Sequence, residues 1–431
     1  MFLALILVVA FIPVFPAVAS DPSQPTTRAD CKKGGWEAFP GAGFRNQGDC
    51  MRFVQTGTFI CRDPLGCVSY DAEDSLRLGT SLVLSGPVGF LGIDELRSVE
   101  IAVDAHGPVL GHAVEVSNED SMCSPGGGED AANAIVADPT IVAIVGTSCS
   151  SAALAAAPII SDAGYSMVSP SNTSPVLTDP EDHAAGYLRV AWNDVDQAST
   201  MADFARHESA LTSAVVVTED AYTTTLGQGF VSSFESLGGV NLAFEVADSD
   251  GSDVADILAG IVSEEVPDVL YFPVFEPLGS ALVTAARAMT ALDGTLLATS
   301  DSLLNQAFLD AAGAAAEDTL LTRADLSFTD TPEYADFADA YFEEFGEPPT
   351  TQFSAYAFDA TNVILNGIEE SGIVDGDGTL HIGRQALRDA LFATAGLDGL
   401  TGTINCDLLG DCGAPEMVVL IVADGVIVPV P

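Results

Sequence analysis

Lysine is almost missing from this sequence: Lys32 and Lys33 are the only two, and Lys+Arg together number 14 against 62 Asp+Glu. That shortage excludes a nucleic-acid partner, because neutralising phosphates takes clustered Lys and Arg. Charged residues of both signs make up only 18%, whereas 48% are apolar, so the chain can bury large cores and is not a disordered one. No Cys-x-x-Cys and no His-Glu-x-x-His occurs, and His106, His112, His183, His207 and His381 fall in no ligating pattern, which argues against a metal. Enzyme motifs are incomplete in the same way. Gly146-Thr147-Ser148-Cys149-Ser150 lacks the second glycine of a nucleophile elbow, and Gly227-Gln228-Gly229 lacks the third glycine of a dinucleotide fingerprint. Asp375-Gly376-Asp377-Gly378 lacks the closing glutamate of a calcium loop, so it reads as a turn. No cofactor is implied.

What is abundant is acid. A formal charge of -48 repels itself in dilute solution, whereas in about 1 M salt the screening length falls to about 3 Å and the repulsion fades. The composition therefore suits a saline habitat, or else an acidic exported protein. Export is signalled separately. Leu3 to Phe15 is a short apolar run closed by Pro13 and Pro16, and Ala17-Val18-Ala19 before Ser20 has the small-x-small form of a cleavage site. A signal peptide is expected over 1–19; because no Lys or Arg precedes the run, an uncleaved anchor is the competing reading. Cys31 lies well beyond it, after Arg28-Ala29-Asp30, so no lipoprotein signal is read. Eight cysteines in an exported chain predict four disulfides, and the short spacings Cys31/Cys50, Cys61/Cys67 and Cys406/Cys412 predict local loops. Cys123 and Cys149 remain.

At 431 residues two or three folded units are expected. Residues 20–30 form a Pro/Ser/Thr-rich linker, and the Gly- and Cys-rich stretch over 31–70 reads as a small stapled module. Its Cys31-Lys32-Lys33-Gly34-Gly35-Trp36 segment resembles a short module attached to various bacterial secreted proteins. From Ser75 onward, aliphatic runs alternate with Ala-rich stretches. Strands are predicted at Leu76 to Leu84, Ala113 to Val116, Ile141 to Val145 and Ser166 to Val168, with helices after Gly92, Gly128 and Ser150. A second set follows: strands at Ala214 to Thr218, Val240 to Glu245, Val269 to Phe272 and Thr295 to Ala298, separated by helices. Such alternation predicts parallel sheets covered on both faces, and two sets predict two lobes with a ligand site beyond the strands' carboxyl ends.

Two polar turns stand at that edge. Ile141-Val142-Ala143-Ile144-Val145-Gly146 runs through Thr147-Ser148-Cys149-Ser150-Ser151 into an Ala-rich helix, whose free N–H groups and hydroxyls favour a carboxylate without Lys or Arg. The next strand ends in Ser169-Pro170-Ser171-Asn172-Thr173-Ser174-Pro175, adding hydroxyls and N–H groups beside the first turn. Plain helix capping and a proline-stiffened loop are the structural readings of these segments.

Ser85-Gly86-Pro87, the Cys123 segment, the Ser148-to-Ser151 turn and Ser169-Pro170-x-x-Thr173-x-Pro175 together resemble the leucine/isoleucine/valine-binding proteins of ABC importers. The likeness continues through Tyr222, Tyr271 to Pro277, Asp301, Tyr356, Leu400 to Thr403 and Cys406 to Cys412. The resemblance implies a type I periplasmic-binding-protein fold: α/β, with two doubly wound parallel-sheet lobes joined by three hinge crossings, here with the small Cys-rich N-terminal appendage. It implies a Cys123–Cys149 disulfide, a ligand carboxylate held at Ser150 and Thr173 with Ser151 and Ser171 beside them, and an ammonium met by Asp301 and by the main-chain carbonyl of Asn172. Tyr222 and Phe275 fall at aromatic wall positions and Leu91 at a first-lobe wall position. Asp301 is one methylene shorter than the family's usual Glu, and Phe275 lacks a phenol.

The expected layout is a first lobe over 71–192 and 324–402 and a second over 193–323 and 403–431. The expected function is capture of an aliphatic or branched-chain amino acid, or a related small zwitterion or amide, by a periplasmic or secreted monomer that delivers it to the membrane permease of an ABC importer. A ligand-sensing subunit of a receptor is the second reading, and an exported hydrolase using Ser150 the third.

Overall fold

A computed structural model describes residues 25–39, 44, 46–413 and 416–430; the expected signal peptide lies outside them. The N-terminal module carries helix α1 (Gln47–Thr56), capped by the Asn46 side chain on the Asp49 N–H, and strand β1 (Cys67–Tyr70). Phe44, Phe53 and Phe59 pack on the Cys31–Cys50 disulfide and reach Ile373.

The first sheet is built from β2 (Leu76–Leu82), β3 (Val114–Asp120), β4 (Ile141–Gly146), β5 (Met167–Ser169) and β6 (Tyr187–Arg189), all parallel, in the order β3-β2-β4-β5-β6. Every residue of β4 is buried, as its unbroken apolar run requires when helices cover both faces. Helix α2 (Gly89–His106) lies on one face, α3 (Pro125–Val136) and α4 (Ser150–Asp162) on the other. Gly128 lets α3 and α4 touch, since a Cβ there would stand 2.3 Å from the Ala152 carbonyl oxygen.

The chain then builds a second sheet through α5 (Asp194–His207), β7 (Thr212–Val217), α6 (Ala221–Ser236), β8 (Val240–Val246), α7 (Val254–Ile261), β9 (Val269–Tyr271), α8 (Leu278–Ala288), β10 (Leu296–Ala298), α9 (Gln306–Ala312) and β11 (Leu320–Ala324). It returns to the first lobe with α10 (Pro332–Phe345), α11 (Phe353–Ser371), β12 (Ile373–Val374), β13 (Leu380–Gly383), α12 (Arg384–Phe392), β14 (Ala395–Gly399) and β15 (Gly402–Asn405). It ends with β16 (Met417–Ala423) and β17 (Val426–Pro429), which add antiparallel to β11. The second sheet therefore runs β17-β16-β11-β10-β9-β7-β8, with separate apolar cores on its two faces. The strand pairing β1-β13-β12 ties the N-terminal module to the first lobe.

The chain passes between the two sheets three times: after Trp192, after Ala324 and before Met417. The last crossing corrects the boundary expected at 403. Strand β15 pairs with β14, Ile404 and Cys412 are buried in the core that holds Trp192, and the Cys412 N–H donates to the Arg189 carbonyl at 2.9 Å. Residues 403–412 thus belong with the first lobe, because their hydrogen bonds extend the β6 edge. All four disulfides form as Cys31–Cys50, Cys61–Cys67, Cys123–Cys149 and Cys406–Cys412, and no cysteine is free among the described residues.

Candidate functional site

Carboxyl ends of both sheets face a cavity of about 410 Å³ between the lobes. On the first-lobe side, β4 delivers the chain into α4. The N–H groups of Ser150, Ser151 and Ala152 open that helix and have no carbonyl one turn earlier to reach. The first closing bond is Ala153 N–H to the Cys149 carbonyl, at 3.0 Å. The Thr173 amide, on the neighbouring turn, has no protein acceptor among the described residues. Ser150 Oγ accepts from the Ser174 N–H at 3.2 Å, which locks the two turns side by side. The arrangement concentrates positive N–H dipoles where a carboxylate could sit.

Beneath these turns lies a carboxyl group that sequence reasoning missed. Glu95, fully buried on α2, meets Ser148 Oγ at 2.5 Å through one oxygen and bonds Ser171 Oγ through the other. Ser148 Oγ also accepts from the Val83 N–H, and Ser171 Oγ also donates to the Ser148 carbonyl at 2.9 Å. Every donor and acceptor is matched only if Glu95 carries a proton, donating to Ser171 while accepting from Ser148. Burial pushes its pKa to about 8, against the ordinary 4.5. Gly92 permits this approach: a Cβ there would stand 2.1 Å from the Val83 carbonyl oxygen. The adjacent Asp94 accepts from Tyr341 Oη and from the Thr350 and Thr351 N–H groups, at 2.7, 3.0 and 2.9 Å. One turn of α2 thereby holds both the polar turns and the loop leading to Gln352.

On the second-lobe side, Asp301 stands just past β10. Its Oδ1 accepts from Gln197 Nε2 at 2.7 Å and from Tyr222 Oη at 2.9 Å, and its Oδ2 accepts from Gln352 Nε2 at 3.2 Å. Burial raises its pKa in spite of these donors. Tyr222 leans on Phe275, ring centroids 5.4 Å apart. Gln197 also accepts the indole N–H of fully buried Trp192 at 2.9 Å.

Of the residues singled out from sequence, Leu91, Ser150, Ser171, Thr173, Tyr222, Phe275 and Asp301 line this one cavity. Ser151 and Asn172 do not. Ser151 is buried in the first turn of α4, and its hydroxyl has no hydrogen-bond partner among the described residues. Asn172 is fully buried, its Oδ1 accepting from Thr147 Oγ1 and Tyr187 Oη at 3.2 and 3.3 Å. Its main-chain carbonyl, expected to face an ammonium, instead accepts from Arg189 Nη1 at 3.3 Å. The reason is Arg189 itself, which is completely buried: it pairs with Asp411 at 2.5 Å and donates to the Ser174 carbonyl and Thr178 Oγ1. Thr173 Oγ1 is also engaged, donating to Asp194 Oδ2 at 3.0 Å. Burial and the neighbouring Asp301 charge push Asp194 well above the usual carboxylate range. Among the described residues, no group of three or more His, Cys, Asp or Glu is placed to hold a metal ion.

Several contacts cross between the lobes beside the cavity, the Trp192–Gln197 bond and the Asp194 N–H to the Thr173 carbonyl among them. Ser174 Oγ meets Thr225 Oγ1 on α6 at 3.1 Å, Gln352 donates to Asp301, and Thr173 donates to Asp194 at the start of α5.

Comparison with known proteins agrees with this geometry. The family described as "Periplasmic binding protein" matches residues 75–411. The Leu/Ile/Val-binding protein BraC3 of Rhizobium johnstonii is 28% identical over 305 residues, covering 70% of this chain and 81% of that protein. Leu/Ile/Val-binding protein homolog 3 of Brucella melitensis is 26% identical over 364 residues, covering 83% and 94%. The crystal structure of a leucine-binding protein, LivK, from Thermotoga maritima superposes with a TM-score of 0.70 at 25% identity, over 83% of this chain and 98% of its own. With two parallel-sheet lobes, three crossings and a family match running from β2 to the Cys406–Cys412 loop, this chain belongs to the periplasmic binding protein family, whose members bind solutes and are not enzymes.

Proposed function

We propose that this protein captures an aliphatic or branched-chain amino acid outside the cytoplasm and delivers it to the permease of an ABC importer. The observation that carries this reading is the pairing across one cavity of unsatisfied N–H groups at Ser150 and Thr173 with the Asp301 carboxylate. The first wall suits an α-carboxylate and the second an α-ammonium. Gln352 Oε1 is buried beside Asp301 without a partner among the described residues, so it takes over the accepting role that the Asn172 carbonyl cannot fill. Tyr222, Phe275 and Leu91 supply apolar wall for the side chain.

Charge-assisted hydrogen bonds contribute about 1.5–3 kcal/mol each, and three or four with an aliphatic pocket suffice for micromolar binding, about -8 kcal/mol. Contacts from both lobes exist together only when they are shut, so the ligand shifts the population toward closure. The names of the relatives, which bind Leu, Ile and Val, support this ligand class. A monomer exported by a cleaved leader, with no nucleic-acid partner, completes the proposal; among the described residues no helix is long and apolar enough to cross a membrane.

Thermal-shift screening over amino acids and small amides tests the reading, since a ligand at 100 times its dissociation constant adds about 2.7 kcal/mol of stability. Calorimetry on Asp301→Ala should then show at least a tenfold loss of affinity for whichever amino acid binds. Undiminished affinity would contradict the ammonium assignment.

A further inference from the structure

The cavity wall carries one cation among the described residues, Arg323 on β11. The acids on the same wall are occupied: Asp220 caps α6 on the Tyr222 N–H, Glu276 accepts from the Ser280 N–H and hydroxyl, and Asp301 holds three donors. Arg323 is not. Its Nε is buried with no hydrogen-bond partner, and its guanidinium joins no ion pair among the described residues, although the field of nearby Asp325 reaches it.

The other arginines from β2 onward are all engaged. Arg77, Arg97 and Arg189 pair with carboxylates, while Arg206, Arg287, Arg384 and Arg388 donate to main-chain carbonyls. In a chain with 62 Asp+Glu, a half-buried arginine is not left single for want of acids. The same cavity is also lined by Leu304, Leu326, Phe328 and Tyr334, and by Asn305 and Thr329, whose polar atoms already bond the Ser302 carbonyl, the Phe308 N–H and the Leu326 carbonyl.

We propose that Arg323 is a second anion subsite of this cavity, which narrows the aliphatic amino acids of the proposed function to those whose side chain ends in a carboxylate, in place of a branched-chain one. This rests on the reading of Ser150, Thr173 and Asp301 as the seat of the α-carboxylate and α-ammonium. A guanidinium matches a carboxylate with two parallel N–H donors, and the pair strengthens where water is excluded. A purely aliphatic side chain extending there would desolvate the cation without a partner, so it is disfavoured by the same group that favours an acid.

The test is calorimetry on the full chain with L-leucine, L-glutamate and L-2-aminoadipate, for the parent and for Arg323→Gln and Arg323→Lys, each checked by its melting curve. The expected result is that one acidic amino acid binds the parent at least tenfold more tightly than leucine. Arg323→Gln should abolish that preference without weakening leucine, and Arg323→Lys should restore part of it. Leucine binding the parent more tightly than both acids, with Arg323→Gln changing neither, would overturn the subsite and leave the amino-acid reading standing. Failure of all three ligands to bind the folded parent would overturn both.

Discussion

Glu95 sits 53 and 76 residues from the two serines it joins, so no local pattern around it signals its role. Its raised pKa has a signed consequence. Between about pH 4.5 and pH 8 the folded chain keeps a proton that the unfolded chain has lost, so this group's contribution to stability is complete below that window. The contribution declines through the window as pH rises, by up to about 1.4 kcal/mol per pH unit. Glutamine reproduces the protonated pattern, donating to Ser171 and accepting from Ser148. Glu95→Gln should therefore flatten the fall in melting temperature between pH 5 and pH 8 relative to the parent, and melt higher at pH 8. Parallel melting curves for the two proteins across that range would show that Glu95 is ionised. Ser150, Thr173 and Asp301 were legible because each closely follows an apolar strand. Arg189 and Gln352 were not, since their partners lie 222 and 51 residues away.

At the scale of elements, strands written as apolar runs, such as β4 and β9, could be read directly, whereas β6 could not. Its three residues, Tyr187–Arg189, include a charge whose burial is made tolerable by Asp411 together with the Asn172 and Ser174 carbonyls and Thr178 Oγ1. Most of β15 and the loop after it were misplaced for the same reason, because what fixes that loop is the β6 edge. The Cys123–Cys149 disulfide joins the loop between β3 and α3 to the start of α4, and Cys149 borders the cavity. Its two ends are 26 residues apart, for which cross-linking contributes about 3.5 kcal/mol. Replacing both cysteines by serine should lower unfolding stability by about that amount in a denaturant titration. It should also weaken ligand binding, because the helix start that presents the Ser150 N–H loses its tether. A variant of unchanged affinity would mean that the Ser150–Ser174 contact alone positions that turn.

For the whole molecule, the two-lobed plan was visible in the restart of the strand–helix pattern, but the return of 324–402 to the first lobe came from the family resemblance and not from periodicity. Helix α10 has its own start and stop, with Thr331 capping the Tyr334 N–H, Pro332 following and Gly346 closing it, but those signals do not say which lobe it joins, and α11 is held by its packing on α2. Charge acts at this scale too. Among the described residues only three arginine–carboxylate pairs form, Arg77–Asp138, Arg97–Glu347 and Arg189–Asp411, so most of the 62 acids are not neutralised by a partner. Raising NaCl to about 1 M, where the screening length is about 3 Å, should raise the melting temperature. A melting point indifferent to salt would mean that the acids are spaced widely enough not to repel.

Trp192 gives this architecture a built-in optical reporter. Its indole stacks on Phe353 of the first lobe, ring centroids 5.2 Å apart, and donates to Gln197, which in turn holds Asp301 of the second. The sequence contains only one other tryptophan, Trp36, in the N-terminal module. Any rotation of one half against the other must disturb the polarity around that ring, so emission from a Trp36→Phe background would follow opening and shutting without an attached dye.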